Sequence, residues 1–114
     1  MSHPERPSRP PSSDEVRVAV EVLKLLADPT RLAILAMLES AELPVGAIAE
    51  ALGRPVPAVS QHLAKLRARS LVVARRDGSS VRYSQPDEHV ARLVQNTLQH
   101  AEHRLHDQPP HHLP

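Results

Sequence analysis

Val59-Ser60-Gln61-His62-Leu63-Ala64-Lys65-Leu66-Arg67 is the stretch on which the reading of this 114-residue chain turns. Val59, Leu63 and Leu66 recur at helical spacing and define a buried stripe, with the helix beginning near Pro57. The opposite face then carries Pro57, Ala58, Gln61 and Lys65, with Ser60 beside them. Short side chains at its start permit close approach to base edges. Gln can pair with adenine, Ser with several bases, and Lys with guanine or phosphate. Just upstream, Ile48 and Leu52 give a shorter apolar stripe over 45–52, which Gly53 ends. Two helices joined by a Gly-containing turn make a helix-turn-helix, here 45–69, whose second helix lies in the major groove. Ala58, Ser60, Gln61 and Lys65 are therefore the expected base-edge and phosphate contacts. His62 lies about 60° from the buried stripe. It fits either a packed or backbone-bonded histidine or a DNA contact.

Downstream the period changes. Val72-Val73-Ala74, then Arg75-Arg76-Asp77-Gly78-Ser79-Ser80, then Val81-Arg82-Tyr83 reads as a β-hairpin turning at Asp-Gly, with a wing over 72–84. A cationic ribbon beside a recognition helix can reach a neighbouring phosphate track, which assigns Arg75, Arg76 and Arg82 to DNA. Residues 54–82 hold seven basic residues against one acid, Asp77, while the remainder holds seven against twelve. Such asymmetry is the footprint of a polyanion partner or, more simply, a solvated basic face.

Upstream, Ser12-Ser13-Asp14-Glu15 supplies a capping box ahead of Val16, Val18, Val20, Val22, Leu23 and Leu26, which places helix 1 at 14–27. Asp28-Pro29 caps a second helix striped by Leu32, Ile34, Leu35 and Leu38. Asp87 caps a fifth at 87–105, with Val90, Val94, Leu98, Ala101 and Leu105 on one face. The fold class is mainly α with a small β-hairpin. Residues 1–13 and 106–114, rich in Pro and poor in apolar residues, are expected to be mobile tails flanking a domain over 14–105. Tyr83 is the only aromatic residue. A core of Leu, Ile, Val and Ala in so small a unit suggests completion by a second subunit. The absence of cysteine excludes disulfides and thiolate metal sites. No apolar run has the ~20 residues of a membrane span, and the start lacks a signal-peptide core, so a cytoplasmic location is expected.

Six of eight histidines fall after residue 86: His89, His100, His103, His106, His111 and His112. On a helix, 89, 100 and 103 lie within about 40° of one face, yet His89 and His100 stand about 16 Å apart along the axis. Metal bonds of about 2 Å cannot span that gap within one chain. Two antiparallel copies of the helix can, bringing Asp87 and His89 of one against His100 and His103 of the other, twice per symmetric dimer. The plainer alternative is a set of solvated histidines on an exposed helix.

The ordered motifs resemble the ArsR/SmtB family of metal-sensing repressors. Leu26-Ala27-Asp28-Pro29-Thr30-Arg31-Leu32 with Ile34-Leu35 is similar to the family's second helix. Val59 to Arg67 is similar to its recognition helix, and Arg76-Asp77-Gly78 with Val81-Arg82-Tyr83 to its wing. The resemblance covers about residues 16–105. It implies a winged-helix homodimer joined through helices 1 and 5, bound to palindromic operator DNA and released by an inducer. Asp87-x-His89 with His100-x-x-His103 resembles the helix 5 site of the family's zinc, nickel and cobalt sensors. The family's thiolate pattern is absent, since Glu42-Leu43-Pro44-Val45-Gly46 holds no cysteine, which removes arsenic, cadmium and lead sensing through that site. Glu102-His103 and His111-His112 resemble ligands of KmtR-type nickel/cobalt sensors, and His3 is similar to the terminal histidine of NmtR-type ones. Four N/O ligands suit Zn(II); additional imidazoles raise the coordination number and favour Ni(II) or Co(II) as effector. A nickel-handling chaperone would leave the basic segment and wing unexplained. A metalloenzyme lacks a His-Glu-x-x-His run. A repressor that has lost its metal response is the third alternative. No membrane or small organic substrate is implied.

Overall fold

The computed structural model describes residues 9–107. The N-terminal stretch 1–8 and the C-terminal 108–114, with the expected ligands His111 and His112, lie outside the described residues. Helix α1 (Ser13–Leu26) opens on the expected capping box: Ser12 Oγ accepts from the Glu15 N–H at 3.1 Å, and Glu15 accepts from the Ser12 N–H at 2.9 Å. Helix α2 (Pro29–Met37) starts at the Asp28 cap, whose Oδ2 accepts from the Arg31 N–H at 2.9 Å. Strand β1 (Leu43–Pro44) leads into α3 (Val45–Leu52) and α4 (Val56–Ala68). Strands β2 (Val73–Asp77) and β3 (Ser80–Ser84) form the hairpin, and α5 runs Glu88–His106.

The sheet has three strands rather than the expected two. Strand β3 is central, with Leu43 opposite Tyr83 and Pro44 opposite Arg82 on one side, and β2 on the other. Two residues carry no period to read, and a proline is tolerated there because β1 is an edge strand. Gly53 ends α3 at φ 63°, and Gly78 turns the hairpin at φ 64°, both left-handed conformations that a glycine adopts without cost.

Helix α2 sits at the centre and packs on α1, α3, α4 and α5. Ile34, Leu35, Ile48, Val59, Leu63 and Leu66 are fully buried around it. The two terminal helices are different. Of the expected α1 stripe only Leu26 is buried, while Val16, Val18, Val20 and Leu23 are 41–54% exposed. Helix α5 buries Val90 and Val94, but Leu98 and Leu105 of the same stripe are 42% and 70% exposed. The described residues supply no cover for them.

Two substitutions test the local energetics. Asp28→Ala is expected to cost about 1 kcal/mol by removing the α2 cap. The Arg31 N–H bond holds the Asp28 carboxyl below its usual range. A depressed folded-state value means that the contribution is complete at neutral pH and is lost as pH falls through that value. The gap between wild type and Asp28→Ala in urea unfolding should therefore close in acid. Ser70, the one described non-glycine at positive φ (60°), carries a penalty of about 1 kcal/mol, so Ser70→Gly should raise the unfolding midpoint.

Candidate nucleic-acid interface and metal ligands

Val59, Leu63 and Leu66 anchor α4 in the core, which turns Ser60, Gln61 and Lys65 outward as exposed side chains and leaves Ala58 half-buried. These are the expected base-facing positions. His62 faces inward instead. Its Nδ1 is 3.2 Å from an Arg31 guanidinium nitrogen and 3.9 Å from Asp28 Oδ2, and its side chain is 23% exposed. A guanidinium only donates, so Nδ1 accepts and the ring proton sits on Nε2. Arg31 Nε in turn donates to the Leu25 carbonyl at 2.6 Å. Between the two roles open to His62, the geometry favours the packed, bonded one.

In the hairpin, Arg75 and Arg82 face each other directly across the strands. Like charges in that register repel. Two carboxylates offset the repulsion. Glu42 takes a bidentate pair from Arg75 at 3.1 and 2.7 Å, and Asp77 accepts from Arg82 Nε at 2.9 Å. The Arg75 guanidinium holds the Glu42 carboxyl below its usual range, and Glu42 raises Arg75 in return. Arg76 is exposed and joins no ion pair among the described residues. The three arginines assigned to the wing therefore differ: one is free, and two are partly neutralised. Glu42 escaped the sequence argument because it lies 33 residues from Arg75.

Between α4 and β3 runs a groove of about 390 Å³ lined by Ser60, Ala64, Arg67 and Tyr83. Arg67 and Tyr83 were not among the expected contacts. The signal was present for Arg67, which continues the row 60, 64, 67 on one flank of the helix.

The expected metal ligands line α5. Asp87 Oδ1 caps the helix, accepting from the N–H groups of His89 (2.9 Å) and Val90 (3.3 Å), while Oδ2 makes no hydrogen bond among the described residues. His89, His100, Glu102 and His103 are all exposed. Glu102 lies 4.0 Å from His106 one turn on. Among the described residues, no three His, Asp or Glu side chains of one chain converge on a point that could hold a metal. That agrees with the axial distance from His89 to His100. The donor set is chemically suitable for a borderline divalent metal, but it is split between the two ends of the helix.

A helix-turn-helix whose second helix is offered to solvent beside a β-hairpin defines a winged-helix DNA-binding protein. A family model described as a helix-turn-helix domain matches residues 26–75. The HTH-type transcriptional regulator KmtR of Mycobacterium tuberculosis is 46% identical over 103 residues, 90% of this chain and 79% of that protein. The regulator NmtR of the same organism is 44% identical over 98 residues, 86% and 82% of the two chains. The solution structure of the homodimeric winged helix-turn-helix domain of Mb0332 from Mycobacterium bovis, "a possible ArsR-family transcriptional regulator", superposes with TM-score 0.77 at 34% identity, covering 84% of this chain and 89% of that one. The chain belongs to the ArsR/SmtB family of winged helix-turn-helix transcriptional regulators. Its activity is accordingly DNA-bound regulation and not enzymatic turnover. No described helix is long and apolar enough to cross a membrane.

The charge pairing orders the wing variants. Arg76→Ala should flatten the dependence of log Kd on log salt by about 1 for operator and random duplex alike, the release of one phosphate contact. Arg75→Ala should flatten it less, because part of that charge is already spent on Glu42. Gln61→Ala should leave the slope intact and relax base preference. Fluorescence anisotropy across a salt series reads all three, and equal slopes for Arg76→Ala and wild type would remove the wing from the interface.

Proposed function

We propose that this protein is a cytoplasmic homodimeric repressor that occupies a palindromic operator and leaves it when Ni(II) or Co(II) binds between the subunits on α5. The carrying observation is that Asp87 and His89 stand at one end of an exposed helix, and His100 and His103 at the other, too far apart to meet within one chain. An antiparallel second copy of α5 brings the two half-sets together. Asp87 suits this role because its cap uses one carboxylate oxygen and leaves the other to ligate. The exposed apolar side chains support the same dimer. Val16, Val20 and Leu23 of α1 and Leu93, Leu98 and Leu105 of α5 need cover. Leu23, Leu32, Leu93 and Thr97 also border a cleft of about 180 Å³ between those helices.

The bound metal would supply a positively charged cross-link between the two α5 helices. Asp87, His89, His100 and His103 form the four-ligand core of the proposed site. Glu102, His111 and His112 would extend it beyond four ligands, which favours nickel or cobalt. With four ligands alone, Zn(II) is the effector.

Subunit mixing tests the shared site. His89→Ala and His103→Ala should each abolish metal-induced release while keeping operator affinity. Co-refolded heterodimers should recover one intact site, seen as half the bound metal per dimer. No recovery would place the site within one chain. Removing residues 106–114 separates the metals. The Ni(II) and Co(II) responses should fall while Zn(II) still binds, and the Co(II) absorption should move towards the stronger bands of a tetrahedral site. An unchanged Ni(II) response would take the tail out of the site and favour zinc.

A further inference from the structure

We propose that the groove between α1 and α4 holds a backbone phosphate of the operator, on the flank of the recognition helix away from the wing. The inference rests on the reading that α4 enters the major groove. Successive residues turn by about 100° on a helix. Ser60, Ala64 and Arg67 therefore line the flank towards β3, Lys65 and Arg69 line the other, and Gln61 points out between them. A helix seated in a major groove about 12 Å wide has a phosphate strand beside each flank. On the wing side, Arg67 and Arg76 are available. On the far side the structure offers a groove of about 430 Å³ lined by Glu21, Lys24, Arg31, Lys65 and Arg69.

The charges of this groove fall into two kinds. Arg69 is held by Glu21 at 3.2 and 3.3 Å, and Arg31 is held by the Leu25 carbonyl and by His62. These contacts fix the walls. Lys24 and Lys65 are exposed and join no ion pair among the described residues. Four cations face one carboxylate, and that carboxylate is already paired with Arg69 and, at 3.9 Å, with Arg17. The excess positive charge lies on two flexible ammonium groups, point charges suited to an oxyanion without demanding one geometry. Lys65 also belongs to the outward face of α4, so the groove is continuous with the base-reading surface. Lys24 is the new element: it extends the interface onto α1.

The test uses the full-length protein with operator and random duplexes. Lys24→Gln should flatten the salt dependence by about 1 on both duplexes, leave base preference and dimer mass unchanged, and be restored by Lys24→Arg. In a scan of single methylphosphonate substitutions, one position beyond the base-reading contacts of α4 should weaken wild type more than Lys24→Gln, which keeps only Lys65 as an unpaired cation in the groove. An unchanged slope for Lys24→Gln overturns the proposal. So does a changed slope with no matching methylphosphonate position, which would mean that Lys24 attracts free anions. Gln61→Ala and Arg76→Ala serve as controls. If they behave as expected while Lys24→Gln does not, this inference alone fails; if wild type binds neither duplex, the reading of α4 falls with it.

Discussion

Helix α2 is the reference to which every functional element is fixed. Its Ile34 and Leu35 are completely buried, and it packs on all four other helices. Its cap and its backbone carry further duties. Asp28 and Arg31 at its start hold His62 of α4, and the Leu35 carbonyl accepts from the Gln85 side chain at 2.7 Å, which fixes the corner where the wing passes into α5. A core without Phe or Trp has no large side chain to bridge distant elements. It therefore stays close to one central helix, and the outer halves of α1 and α5 remain uncovered.

That constraint explains where charge has been placed. Positions close to α2 use hydrogen bonds to fix geometry, as with Arg31 and its acceptors, the Leu25 carbonyl and His62. The wing is farther out and brings two arginines face to face, with Glu42 and Asp77 restoring balance. Exposed pairs of this kind contribute little stability, because solvent screens them and long side chains lose entropy on pairing. Their effect is on shape: they hold the hairpin in a defined orientation while Arg76 stays available. A count of seven cations in 54–82 overstates the charge that a phosphate track encounters.

Most of the fold was legible because its signals are local. The Ser12–Glu15 box, Asp28-Pro29, Gly53 and Asp87 each mark a helix boundary within a residue of its place in the structure. What was not legible depends on partners far apart in sequence. Strand β1 exists only because Leu43 and Pro44 meet Tyr83 and Arg82, about forty residues on. The pairing of Arg75 with Glu42 and of His62 with Arg31 is invisible for the same reason. On α1 and α5 the apolar spacing marks the helices, but a pattern states that a face needs cover and not which molecule provides it. Val90 and Val94 are buried; Leu98 and Leu105, on the same stripe, are exposed.

The packing order also limits how an effector on α5 could reach the DNA face. Helix α5 rests chiefly on α2, and α2 on α4. In the proposed dimer, a change in the angle between two α5 helices would therefore act either by moving whole subunits relative to one another or by displacing α2 within each. The second route is costly, because Ile34 and Leu35 of α2 are completely buried, and a close-packed interior resists small shifts. The first would need only that the exposed apolar faces of α1 and α5 slide, faces that the described residues of one chain leave uncovered. A coupling of about 1–3 kcal/mol is typical between two linked sites. A change of that size fits a repositioning of two otherwise rigid recognition helices against the spacing of successive major grooves. By reciprocity, operator DNA would hold the subunits in the arrangement that binds the effector less well.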